Sequence, residues 1–105
     1  MTTIDLLQRL NNTGLSVTEI AFIKTPTYPA VVYFIDPSGE GSDDENLINN
    51  YDIRLELYSQ SVDKATEKLI EEDVLYDVEY DSVSGYINEQ NLYYRFYTFS
   101  LSEKI

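Results

Sequence analysis

Neither histidine nor cysteine occurs among the 105 residues, and tryptophan is missing as well. Without thiols there can be no disulfide and no thiolate metal site, which suits a reducing interior. Without imidazole too, the commonest general bases, nucleophiles and transition-metal ligands are gone, and any acid–base work falls to carboxylates. Positive charge is almost as scarce: seven Lys and Arg stand against 19 Asp and Glu, a net charge of −12. The seven are scattered along the chain, whereas binding to a phosphate backbone needs them clustered. No apolar run approaches the roughly 20 residues of a membrane span, and Met1–Asp5 has neither the basic start nor the apolar core of a secretory leader. These absences lead us to expect a soluble chain, cytoplasmic when made, with no membrane partner and no reaction to catalyse.

What is present suits one domain over residues 1–105, since 43% hydrophobic and 25% charged residues are ordinary for a folded globular protein. The chain is organised around Tyr51–Tyr58. Tyr51, Ile53, Leu55 and Leu57 fall on one side of this stretch, and Asp52, Arg54, Glu56 and Tyr58 on the other. A period of two is that of a half-buried β-strand.

Before it, Thr2 or Thr3 caps a short helix whose apolar stripe is Ile4, Leu7 and Leu10, widened by Leu6. Gly14 ends that helix. Val17–Ile23 follows as a strand, broken by Pro26 and Pro29. Ala30–Ile35 is a continuous apolar run, expected as a central strand covered on both faces. After the organising strand, Ser61 caps a second helix with Val62, Ala65, Leu69 and Ile70 as its stripe. Val74–Val83 alternates again as a strand, Ser84–Gly85 turns the chain, Asn88–Asn91 is a polar loop, and Leu92–Leu101 forms a long aromatic strand that pairs antiparallel with it. The expected fold is therefore α+β, in the order αβββαββ: a mostly antiparallel sheet of about five strands with two helices on one face.

Three features invite chemistry. The stretch Asp36–Glu45 holds five acids and two glycines and no base, which suggests calcium, a cation that takes several oxygen ligands. Its third position is Ser38 and its twelfth Leu47, however, so it departs from an EF-hand loop, and a solvated acidic loop is the simpler account. The second feature is the ten tyrosines. Tyr93, Tyr94, Phe96 and Tyr97 have only Arg95 beside them, too little charge for a single-stranded nucleic-acid platform. One side of this strand is then core, and the other suits a protein interface, where tyrosine is enriched. The third feature is the run Glu71, Glu72, Asp73, Asp77, Glu79 and Asp81, which reads as a wet face or as a surface that repels DNA.

Certain segments and their order carry a family resemblance. Thr25-Pro-Thr-Tyr-Pro-Ala-Val-Val-Tyr33 is followed by a Ser/Asp/Glu/Asn loop and then by Tyr51-Asp-Ile-Arg-Leu-Glu-Leu-Tyr58. After these come the Lys- and Glu-rich helix over Asp63–Glu72 and the ending Tyr93-Tyr-Arg-Phe-Tyr-Thr-Phe99. Residues 15–101 as a whole resemble the small tail-completion proteins of siphophages and prophages of Gram-positive hosts, the tail terminators and head–tail joining proteins.

The resemblance implies a structural protein of the virion neck, made in the host cytoplasm. It implies a homo-oligomeric ring, commonly hexameric, that caps the tail tube protein and offers a surface to the head connector protein. DNA passes through such a ring without being bound, and neither cofactor nor metal is implied. The family has no active-site residues to carry over, so the interface candidates come from composition: Tyr58, Tyr93, Tyr94 and Tyr97, with Asp43, Asp44 and Glu45 ordering against a neighbour.

The charge also suits a different class of function, an acidic DNA mimic that occupies the DNA groove of a nuclease or regulator. A third reading, a metal-dependent carboxylate enzyme, would rest on Asp43 and Asp44.

Overall fold

A computed structural model describes residues 1–19, 26–37 and 48–104. Helix α1 spans Thr3–Asn12 and is closed at its start by a reciprocal cap: Thr2 Oγ1 accepts from the Asp5 amide and Asp5 Oδ2 accepts from the Thr2 amide, each at 3.1 Å. Both are amides that the first helical turn would otherwise leave without a partner. Gly14, at φ +78°, ends the helix in the left-handed conformation expected of it.

The strands are β1 (Ser16–Glu19), β2 (Ala30–Pro37), β3 (Ile48–Ser59), β4 (Asp81–Ile87) and β5 (Leu92–Lys104). They form one sheet in the order β1-β2-β3-β5-β4. The β1–β2 pair is parallel and the other three are antiparallel. The α+β architecture and the order αβββαββ are those expected.

Register divides the sheet into two faces. Val31, Leu57 and Arg95 lie side by side across β2, β3 and β5, as do Tyr33, Leu55 and Tyr97, and Ile35, Ile53 and Phe99. This face carries the core: Leu6 and Leu10 of α1 and Ile70, Val74 and Leu75 pack with Val31, Ile53, Leu55, Leu57, Tyr97, Phe99 and Leu101. Leu6 and Leu10 are wholly buried and contribute about 2 kcal/mol each, enough to hold a helix too short to persist alone.

Several details differ from expectation. In α1 the buried stripe is Leu6 and Leu10, and Ile4 is 67% exposed. Helix α2 covers only Lys64–Leu69, and its cap is Asp63 rather than Ser61. Asp63 accepts from both the amide (3.0 Å) and the hydroxyl (2.7 Å) of Thr66, one bond to each carboxylate oxygen. The helix then widens into a π-helical turn over Ile70–Val74, so its buried positions are Thr66, Ile70 and Val74, while Val62 is exposed.

The strand expected over Val74–Val83 begins only at Asp81, because Val74 and Leu75 are core residues of the helical segment. Ser84 and Gly85 lie within β4, and the chain turns at Asn88–Asn91, where Asn91 takes the positive φ (+52°). The middle strand is β3. The run from Ala30 is second from the edge, covered on both faces only over Ala30–Val32.

Candidate interaction surface

The other face of the sheet has no helix over it among the described residues. Phe34 of β2, Arg54, Glu56 and Tyr58 of β3, Tyr94 and Phe96 of β5, and Val83 and Gly85 of β4 lie on it, since they are register partners of one another across neighbouring strands. The rings form a connected set. Tyr94 and Phe96 lie 4.6 Å apart between centroids, Phe96 meets Tyr58 edge-on at 6.1 Å, and the Arg54 guanidinium stacks over Phe34 at 4.3 Å. Each such pair adds a modest stabilisation beyond the area it buries.

A carboxylate sits beneath these rings. Glu56 is 8% exposed, accepts from the Tyr58 hydroxyl at 2.7 Å and pairs with Arg54 Nε at 2.8 Å. A buried carboxylate is costly unless it is paired and hydrogen-bonded, and here both conditions are met by its neighbours on the same strand, two residues to either side. Burial, together with the hydrogen bond to Glu56, pushes the Tyr58 phenol well above its ordinary range. Arg54 and Glu56 both read as wet positions in the alternating pattern. The signal for Glu56 was its spacing from Arg54 and Tyr58, which puts a cation and a hydroxyl on its own side of the strand.

The structure separates the candidate tyrosines. Tyr58 and Tyr94 are register partners, half-buried, on the open face. Tyr93 points to the helix side, where it packs on Tyr86 at 4.7 Å. Tyr97 is a correction: it is fully buried and is core, because its parity is that of Phe99 and Leu101. Its hydroxyl donates to Glu71 at 2.8 Å, and burial followed by this bond raises its ionisation far above the usual tyrosine range.

Arg95, on the same face as Tyr97, ties β5 to the second helical segment. Its Nε lies 3.6 Å from Glu67 and 3.5 Å from Glu71, ion pairs with no hydrogen bond formed, and its Nη2 donates to Ser82 at 3.0 Å. Asp43, Asp44 and Glu45 lie outside the described residues.

Among the described residues no group of three or more acidic side chains converges to hold a metal ion, and no helix is long and apolar enough to cross a membrane. The open face offers aromatic rings, hydroxyls and one ion-paired carboxylate, which is the chemistry of recognition by contact. No protein-family model matches the sequence, and no curated protein matches it either.

Proposed function

We propose that the chain is a structural neck protein of a phage or prophage, a tail terminator or head–tail joining protein. In this reading it assembles into a closed ring on the tail tube, meets the head connector, and resides in the virion after assembly in the host cytoplasm. The observation that carries the reading is the open sheet face, where Tyr58, Tyr94 and Phe96 form a partly buried aromatic cluster with the exposed Val83 beside it. A second copy is the occupant we assign to it. A face built from rings of low conformational freedom suits a tight protein contact, and a contact between unlike surfaces of identical subunits closes into a ring when the rotation allows. A charge of −12 would keep the lumen of such a ring from holding DNA.

The test is the mass of the protein in solution across a concentration range, alone and with the tail tube protein. A closed oligomer, above all a hexamer, is the expected result, and a monomer under both conditions would overturn the reading. The monomeric outcome would favour the DNA mimic, for which Glu72, Asp73, Glu79 and Asp81 supply exposed carboxylates. Salt-sensitive binding to a basic DNA-binding protein would then follow.

A further inference from the structure

The two strands of the β4–β5 hairpin are unequal in length. β5 runs from Leu92 to Lys104, but β4 pairs with it only from Leu92 to Thr98, where Asp81 is the last partner. From Phe99 to Lys104, β5 is paired with β3 on one side, and among the described residues no strand pairs with the other. The reason lies in the chain just before β4. Val78 and Tyr80 pack onto the core, and Tyr80 meets the buried Tyr97 edge-on at 5.4 Å, so this segment leaves the sheet to cover the helix face.

A cleft of about 950 Å³ fills the space it vacates, lined by residues 77–81 on one wall and 99–102 on the other, with Met1 beside them. Phe99 and Leu101 from the core face and Ser100 and Ser102 from the open face all reach it, as they must if it runs along the edge of a strand. Alternate backbone amides and carbonyls of such an edge point outward, ready for another strand.

We propose that this edge accepts an extended, basic segment of a partner chain, which adds a strand to the sheet as a continuation of β4. The vacant length matches a typical strand of roughly 5–6 residues. Charge selects the occupant. Asp77, Glu79 and Asp81 line the cleft. Arg9 holds Asp77 at 2.7 Å, while Glu79 and Asp81 are exposed and have no ion-pair partner among the described residues. A second copy is disfavoured here, because its own outer strands β1 and β4 carry Glu19 and Asp81 and no base. The acids of such a strand would face the carboxylates of the cleft wall and be repelled. The inference does not depend on the neck reading, since it concerns the edge of the sheet and not its open face.

The experiment is binding of an end-capped, fluorescein-labelled peptide in which lysine alternates with threonine, followed by fluorescence anisotropy near physiological salt. Two further peptides separate the causes: one with glutamate in place of lysine, and one with the lysines kept but every second backbone amide methylated. We expect the lysine peptide to bind and to slow hydrogen exchange at alternate amides between Phe99 and Lys104. The methylated and glutamate peptides should each bind at least tenfold more weakly, and the Glu79→Gln/Asp81→Asn double variant should lose at least tenfold in affinity. Both substituted side chains are exposed, so folding is not at stake. Equal binding of the methylated peptide would overturn the proposal by showing charge attraction without strand pairing. So would failure of the lysine peptide to bind, protection confined to other amides, or amides from Phe99 to Lys104 already protected by self-association of the chain.

Discussion

Gly85 of β4 and Tyr94 of β5 are register partners, and the tyrosine ring lies flat across the glycine. A methyl group added at Gly85 would meet Tyr94 Cζ at 2.6 Å and Cε2 at 2.8 Å, distances that no real contact sustains. The missing side chain therefore seats the ring, and the seated ring in turn packs on Phe96. Gly85→Ala should expel Tyr94 and destabilise the fold by about 1 kcal/mol through the lost aromatic contacts. Urea denaturation of the single and double variants checks this. In a Tyr94→Ala background the same substitution should become neutral or stabilising, because the three nearest atoms, all of the Tyr94 ring and hydroxyl, are then gone and alanine suits a strand better than glycine.

The open face makes a prediction about assembly that its stability does not share. Val83 is 57% exposed on this face beside Phe96, and Ile4 is 67% exposed on α1, remote from it. Val83→Asp and Ile4→Asp should each change unfolding free energy by less than about 0.5 kcal/mol, as exposed substitutions commonly do. Under the ring reading only Val83→Asp should lower the oligomer mass measured by light scattering. Equal masses for the two variants would remove this face from the interface.

Acid stability should hinge on two aspartates. Hydrogen bonds from Arg9 to Asp77 and from the Thr2 backbone to Asp5 hold both carboxyls below their ordinary value of 3.8. A carboxyl whose folded ionisation is depressed contributes stability that is present above its unfolded value and lost as pH falls through the folded one. Stability should therefore decline below pH 3.8. The declines of Asp77→Asn and Asp5→Asn should be shallower than that of the parent, read as thermal midpoints across an acid series. Asp77→Asn should also loosen the π-helical turn, because Arg9 Nη1 bridges Asp77 and the Val74 carbonyl.

Much of this architecture is legible in the residues. Tyr51–Tyr58 announces its strand by strict alternation, and register then follows from matching the aliphatic parity of β2, β3 and β5. The parity of Tyr97 with Phe99 and Leu101 was equally readable and would have placed that tyrosine in the core. The π-helical turn was not readable in the same way. Val74, Tyr76, Val78 and Tyr80 alternate as a strand would, yet Val74 and Leu75 are both claimed by the core beneath α1, and burial of adjacent residues overrides a period of two. Nor could periodicity show that Gly85 is a strand residue. Its usual meaning as a turn signal gives way to the ring of a partner nine residues further on.

Tyr58 and Tyr97, on opposite faces of the sheet, should set the alkaline limit of the fold. Each phenol is partly or wholly withdrawn from water and donates to a carboxylate, Glu56 for one and Glu71 for the other, so ionisation would bury a second negative charge against the first. Both are pushed above the ordinary value of 10.0, burial being the larger cause in each case. Here the protonated form is favoured by folding, so the contribution is fully present below pH 10.0 and is lost as pH rises beyond it. The parent should lose thermal stability steeply above pH 10 and ionise these two phenols only as it unfolds, which absorbance near 295 nm detects. Tyr58→Phe and Tyr97→Phe should each cost about 1 kcal/mol at neutral pH through the lost hydrogen bond. Each should also flatten the alkaline decline, and the double variant should flatten it most. A decline of unchanged slope in the double variant would show that other groups set the limit.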